Sequence, residues 1–301
     1  MTNMQKKVSV VITTKNEEKN IANCLESIKL QTWNNVEVIV VDNSSNDNTK
    51  EIAGKYTRLV FDKGPERSAQ RNYGLLDVAT GTYGMFIDAD MILTSNLLEA
   101  CVEKICSEDL KALHIEEIVL GRGRLARIRR FERSFYSGTC VDGVRFFRLE
   151  DFKSINGFDA SLPPGPEDWD LDMRFLKNGR LGLVSTGPVG RWEMSTFVSS
   201  KGVHVKSGFA GIFHNEDEQS LGVYLSKKAY YAGSMDVYKR KWNESPEVRK
   251  QLGLKYRYFS VFVENGKWKK LIRHPALATG MYVLRFLVGA RYLIETQRNH
   301  Q

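Results

Sequence analysis

Four apolar runs, Val8–Thr13, Val36–Asp42, Thr57–Phe61 and Gly84–Asp88, are separated by stretches with helical spacing over the first 95 residues. Runs this continuously apolar suit strands covered on both faces, and the alternation with helices predicts a parallel sheet built by right-handed crossovers. Ile21, Leu25 and Ile28 mark the first helix, with Glu17-Glu18 expected at its N-terminus, where negative charge is favoured. Asp47-Asn48-Thr49 reads as the start of a second helix, and Leu75, Leu76 and Ala79 as the apolar face of a third. In such a doubly wound α/β unit the ends of strands one, two and four meet at a topological switch point. Asn16, Asp42 and Asp88 are therefore expected to converge on one crevice suited to a nucleotide.

Candidate chemistry begins at the exit of the fourth run, where Asp88-Ala89-Asp90 places two carboxylates one residue apart. That spacing suits a hard divalent cation shared with a diphosphate, although a turn with two solvated aspartates would look the same. No Gly-x-Gly-x-x-Gly follows the first strand and no Gly-x-x-x-x-Gly-Lys-Ser/Thr occurs, so bound phosphates would need a metal in place of a glycine cradle. Further along, Val141–Phe147 alternates in part and predicts a strand. The turn Pro163-Pro164-Gly165-Pro166 leads into a helix that starts at Glu167-Asp168 and carries Trp169, Leu171 and Phe175.

Five segments in order resemble family 2 glycosyltransferases: Val8–Glu18, Val38–Thr49, Gly64–Gly74, the Asp-Ala-Asp triplet, and Gly165–Leu171. The resemblance spans about residues 8 to 220 and departs at Thr13, where a proline is common, and at Asn43, where a second aspartate often sits. It implies a GT-A fold: a Rossmann-like, mostly parallel central sheet flanked by helices, here with a helical, basic C-terminal extension. It also implies that Thr14, Glu17 and Asp42 line the nucleobase pocket, that Arg67 and Arg71 face the nucleotide, and that Asp88 touches ribose; Asn16, at the switch point, is counted with the nucleotide-binding residues. Asp88, Asp90 and His214 would serve a Mn²⁺ or Mg²⁺ ion, and Asp168 would be the base, with Glu167 and Trp169 on the acceptor side. Inverting sugar transfer needs a group that takes the proton from the attacking hydroxyl, and a carboxylate at a helix start stays ionised. The plainer alternatives are that Glu167, Asp168, Asp170 and Asp172 are N-terminal helix acids, that Arg67 and Arg71 are a solvated face, and that His214 is structural. The stretch Trp192–Phe209 is expected to act as a lid over the donor.

The expected organisation is a catalytic unit at 1–220, with a nucleotide half at 1–95 and an acceptor half at 96–220, followed by helices over 221–301. The net charge of +8 belongs to the tail: residues 225–301 hold 16 Lys or Arg against 5 Asp or Glu. Pro275–Ile294 is apolar but broken by Arg285 and Arg291, which favours a helix lying in the plane of an anionic membrane surface, arginines snorkelling, over one that spans it. Packing of these helices on the protein or on a second copy is the alternative. A second basic element, Arg122 to Phe135, predicts an amphipathic helix that either grips lipid-carrier phosphates or forms a salt-bridged interface. Cys24, Cys101, Cys106 and Cys140 lack metal-ligand spacing and no secretory signal precedes them, so they are expected to be reduced thiols in the cytosol. A pI near 9.2 comes without a nucleic-acid motif, and nucleic acid is not expected as a partner.

The function these readings imply is metal-dependent, inverting transfer of a sugar from a UDP- or GDP-linked donor to a hydroxyl of a glycan, carried by a lipid, on the cytoplasmic membrane face. The rivals are a polyprenyl-phosphate glycosyl synthase, a nucleotidyltransferase, and a noncatalytic membrane adaptor built on a dead transferase core.

Overall fold

The computed structural model describes residues 6–185, 209–216, 219–231 and 234–299. The proposed lid, apart from Phe209, lies outside the described residues. Among the described residues, ten strands and thirteen α-helices follow one another: β1 (Val8–Thr14), α1 (Ile21–Lys29), β2 (Val36–Asp42), α2 (Thr49–Gly54), β3 (Val60–Asp62), α3 (Arg67–Asn72), β4 (Tyr83–Asp88), β5 (Met91–Leu93) and α4 (Leu97–Ser107) come first. Then follow β6 (Ala112–Ile115), β7 (Glu117–Leu120), α5 (Arg124–Arg133), β8 (Val144–Arg148), α6 (Leu149–Ser154), α7 (Glu167–Asn178), β9 (Leu181–Val184) and β10 (Ile212–Asn215). The C-terminal region is α8 (Leu221–Tyr230), α9 (Met235–Lys241), α10 (Pro246–Leu252), α11 (Val261–Val263), α12 (Trp268–Arg273) and α13 (Pro275–Asn299).

The main sheet runs β3-β2-β1-β4-β8-β6-β9, parallel from β3 to β4 and antiparallel on both sides of β8. The expected mostly parallel sheet is therefore present with a mixed far half. β1 is buried along its whole length and packs on α1 below (Ile21, Leu25, Ile28) and on the Leu75 helix above, which is why apolar residues fall on both of its faces, Val8, Val10 and Ile12 on one and Val11 on the other. Burying a side chain of this size contributes about 1.5–3 kcal/mol, so the central strands anchor everything attached to their ends. A second sheet, β5-β10-β7, hangs off the end of β4.

Two local expectations are corrected. Glu17-Glu18 precede α1, which has no acidic residue in its first turn. They are instead drawn to the neighbouring loop, where Glu18 Oε2 accepts from the Asn48 backbone N–H at 3.1 Å. The third run starts later than expected because the Thr57 hydroxyl donates to the Val38 carbonyl and accepts from the Leu59 N–H, a turn that holds the chain off the sheet until Val60.

The C-terminal region packs through an aromatic cluster in which Phe131 of α5 and Phe135 just beyond it meet Phe262 and Met281. Three of the arginines of α5 turn out to be structural. Arg129 binds Glu132 (2.6 Å) and Glu216 (3.2 Å), Arg130 donates to the Val119 and Gly121 carbonyls, and Arg133 binds Asp142 (2.7 Å) and Glu117. These three are not available to a lipid phosphate; the salt-bridged alternative holds for them. Arg285 likewise points inward: it is 8% exposed and donates to Glu132 Oε1 at 2.9 Å, so it does not snorkel outward as expected.

Candidate active site

The switch-point crevice forms where the loops after β1 and β2 zip together. The Asn16 N–H donates to the Ser45 hydroxyl (2.7 Å), the Glu17 N–H to Thr49 (2.8 Å), and the Asn46 N–H to Asn16 Oδ1 (2.9 Å). Asn16 adopts φ 54°, a left-handed conformation that asparagine tolerates better than most residues. Gln70, which the sequence did not single out, donates to both the Thr14 and Val41 carbonyls and clamps the two strand ends together. Asp42 is fully buried and accepts from the Ser45 N–H and hydroxyl, whereas the buried Thr14 hydroxyl has no partner. Thr14, Asn16, Glu17 and Asp42 thus lie together at the ends of β1 and β2.

Asp88 ends β4, and the Asp88-Ala89-Asp90 turn feeds β5. Because β5 pairs antiparallel with β10, His214 falls opposite Met91 and the Asn215 N–H reaches the Asp90 carbonyl at 2.9 Å. His214 Nε2 then lies 3.2 Å from Asp90 Oδ2, joining residues 124 positions apart. Burial works against the imidazolium, but the Asp90 and Glu117 carboxylates raise the His214 pKa to about 10. Glu17 is pushed up by burial and by the charges of Asp90 and Asp88, which marks it as a third carboxylate at this end of the crevice.

Asp90 Oδ1 is buried without any partner. A carboxylate oxygen rarely stays in that state unless something else binds it, and with the adjacent imidazole, which would give up its proton to a bound cation, it makes a fitting pair of cation ligands. Among the described residues no group of three or more His, Cys, Asp or Glu forms a ready-made metal cluster. Of the expected trio, Asp90 and His214 lie side by side, while Asp88 Oδ1 accepts from the Thr13 hydroxyl (3.0 Å) and from Arg71 Nη2 (3.3 Å) and its side chain stays 22% exposed, a placement that suits contact with a cation through water.

Arg71 is the centre of the site. It is fully buried, its guanidinium sits 4.4 Å from the Phe86 ring centroid, and it donates to Asp168 Oδ1 (2.7 Å) as well as to Asp88. Burial would push the Asp88 carboxyl up; Arg71, Arg67 and Arg145 overcome this and hold it well below the usual carboxylate range. Arg67 donates to Glu167 Oε1 (3.0 Å) and to the Tyr231 hydroxyl (3.2 Å). Glu167 itself is 2% exposed, so it faces these arginines and is closed to an acceptor. Trp169 is half-buried between Tyr238 and Arg257.

The four acids at the start of α7 separate by environment. Asp170 is fully buried against Trp242, Lys241 and Arg174, and Asp172 is locked to His114 at 2.6 Å. Asp168 alone is both partly open, at 28% side-chain exposure, and joined through Arg71 to the carboxylate at the end of β4. Its position is also fixed from below, since a Cβ on Gly143 would lie 2.9 Å from the Asp168 Cβ.

Sequence reasoning missed Gln70, Gly143, Tyr231 and the buried pair Arg145–Glu117, whose Nε and Oε1 are 2.6 Å apart. Arg145 acts on the charges of both Asp88 and Asp168, and Glu117 is held well below the usual carboxylate range by Arg133 and Arg145 against the cost of burial. Their signal was weak: a single arginine in a short strand and a glutamate in an apolar one.

Residues 9–150 match the sequence model described as glycosyl transferase family 2. The uncharacterised glycosyltransferase YibD of Escherichia coli K12 is 34% identical over 116 residues, 36% of this chain and 33% of YibD. The chain thus spans about a third of the length of that relative. WfgD of Escherichia coli, named a UDP-Glc:α-D-GlcNAc-diphosphoundecaprenol β-1,3-glucosyltransferase, is 26% identical over 188 residues, 60% of this chain and 74% of WfgD. In fold, the chain is similar to the mannosyltransferase PcManGT from Pyrobaculum calidifontis, solved in complex with GDP-Man and Mn²⁺, with a TM-score of 0.58 at 18% identity, covering 97% of this chain and 86% of that one. The ordered motifs, the mixed sheet of GT-A type and these likenesses agree: residues 9–150 carry the glycosyl transferase family 2 match, on a fold of GT-A type.

Proposed function

We propose that this chain moves a sugar, with inversion, from a uridine- or guanosine-diphosphate sugar to a hydroxyl of a glycan borne by a membrane lipid. The observation that carries the reading is the single buried guanidinium of Arg71 joining Asp88, at the donor end, to Asp168, at the open end of α7. Thr14, Asn16, Glu17 and Asp42 line the base and ribose side, and Asp88 with Arg67 and Arg71 fixes the charge balance beside the phosphates. Asp90 and His214 would hold a Mn²⁺ or Mg²⁺ ion, which supplies positive charge to a departing diphosphate. The names of PcManGT and WfgD support a nucleotide-sugar donor, a divalent cation and a lipid diphosphate acceptor.

In the transfer, the acceptor oxygen bonds to the anomeric carbon as the bond from that carbon to the diphosphate oxygen breaks. Asp168 takes the hydroxyl proton. Arg71 holds Asp168 Oδ1, which leaves Oδ2 as the basic oxygen and fixes the plane of the carboxylate. Nothing in this arrangement calls for nucleic acid, and the working location is the cytoplasmic face of a membrane, with pairing of copies through the C-terminal helices as a further possibility to test.

A panel of nucleotide sugars read by diphosphate release, with Mn²⁺, with Mg²⁺ and with EDTA, tests this. Release from one donor, dependent on cation and lost in Asp168→Asn, is the expected result. Cation-independent release, or full turnover in Asp168→Asn, refutes it; the latter fits a phosphate acceptor that is already ionised.

A further inference from the structure

Helix α13 is apolar on its outer side as well as on the side that packs against the protein. Its inner side carries Met281, Leu284 and the paired Arg285. Its outer side carries Val283, Phe286 and Leu293 at 55%, 72% and 64% exposure, in register with Thr279 and Ala290. Thr279 returns its hydroxyl to the Pro275 carbonyl, and neither Arg285 nor Arg291 falls on this stripe, so the outer face is apolar from Ala276 to Ile294. By length and composition Pro275–Ile294 could cross a bilayer. Its inner arginine, tied to Glu132 of α5, keeps one side of it on the protein instead.

The preceding helix extends the same pattern. In α12, Trp268 and Ile272 are exposed at 46% and 69%, and Lys269 and Arg273, one residue further on in each case, form an exposed cationic stripe beside them. An apolar face edged by lysine and arginine with a tryptophan at its border is the pattern of a helix lying in a lipid interface. A second copy would bring like charges together along this edge, whereas anionic headgroups would neutralise them.

We propose that the outer face of α12 and α13 is a docking surface for a bilayer with anionic headgroups, with α13 lying in the membrane plane and Phe286 and Leu293 immersed. This deepens the reading of a lipid-borne acceptor and rests on it only for its purpose. The test is flotation of the full chain with phosphatidylcholine vesicles, with and without phosphatidylglycerol, in the absence of donor and acceptor. The chain floats with the anionic vesicles, and added salt weakens binding. The double variant Val283→Glu/Phe286→Glu, with an unchanged melting curve, lowers the bound-to-free ratio by about tenfold or more. Lys269→Glu/Arg273→Glu removes the preference for anionic lipid.

Flotation unaffected by Val283→Glu/Phe286→Glu overturns the proposal, as does a wild-type chain that stays at the bottom. A dimer seen by light scattering and abolished by the same variant, in a chain that does not float, assigns the face to a second copy and also overturns it. A chain that floats but transfers no sugar refutes the proposed function and leaves this surface standing; one that transfers without floating does the reverse.

Discussion

Replacing Gly143 with alanine probes the proposed base without touching any charged group. The added Cβ would stand 2.9 Å from the Asp168 Cβ and 3.6 Å from its Cγ. Carbon atoms rest about 3.5–4.0 Å apart, so roughly 0.6–1.1 Å must be found. Helix α7 cannot supply it by retreating. Asp172 is bonded both to His114 (2.6 Å) and to the Val144 N–H (2.9 Å), one residue beyond Gly143, and Asp170 is pinned by Trp242 and Lys241. The displacement therefore falls on the Asp168 side chain and on its bond to Arg71. A misplacement of about 1 Å at a reacting group costs on the order of 100-fold in rate, while the overpacking costs about 1–3 kcal/mol of stability. The assay is kcat and donor KM by diphosphate release, with nucleotide affinity from calorimetry. The expected outcome is a kcat lower by about two orders of magnitude with donor KM and nucleotide affinity close to wild type. The double variant with Asp168→Asn should be no slower than Asp168→Asn alone, since both act on one group. Wild-type turnover in Gly143→Ala, or additive losses in the double variant, would refute the reasoning.

Asp168→Asn by itself should lower turnover by about 10²–10⁴-fold and leave nucleotide binding intact, as read by calorimetry. Asp90→Asn should raise the Mn²⁺ concentration needed for half-maximal nucleotide binding; an unchanged Mn²⁺ requirement counts against the ligand assignment. Arg129→Ala leaves Glu132 and Glu216 buried with one cation fewer and should cost about 3–5 kcal/mol in a denaturant melt while leaving the acceptor KM of the remaining folded enzyme unchanged. The His114–Asp172 pair makes stability depend on pH. Burial opposes the His114 charge, but Asp172 raises its pKa to about 9, so its contribution is full below the ordinary value of 6.5 and is lost as pH rises to about 9. Asp172 is itself raised by burial, which acts in the same direction. Unfolding free energy should fall by up to about 3 kcal/mol across that window, and His114→Gln should flatten the slope relative to wild type.

The first 95 residues were legible because their signals are local. A buried parallel strand must be apolar on both faces, and its polar punctuation, Asn16, Asp42 and Asp88, can only fall at the ends. The far half was harder, since Arg145 and Glu117 meet across 28 residues and the arginines of α5 find carboxylates up to 87 residues away. A basic helix read alone looks solvated; only the tertiary fold reveals that Glu117, Asp142 and Glu216 neutralise it. His214 was found by its place in a motif, whereas the reason it reaches Asp90 is the antiparallel register of β10 on β5, which no spacing encodes. Gly143 gave no signal at all, because its importance lies in the atom it lacks.

The inward turn of Arg285 has a practical corollary. Glu132 receives it at 2.9 Å, Arg129 binds the same carboxylate at 2.6 Å, and Arg129 also binds Glu216, two positions past His214. Shortening the chain before Pro275 to obtain a more soluble enzyme would remove the first member of that relay. The loss would travel, charge by charge, to the strand that carries the histidine. The last helix is part of the catalytic chassis, and solubility is better sought by recolouring its outer stripe than by cutting it away.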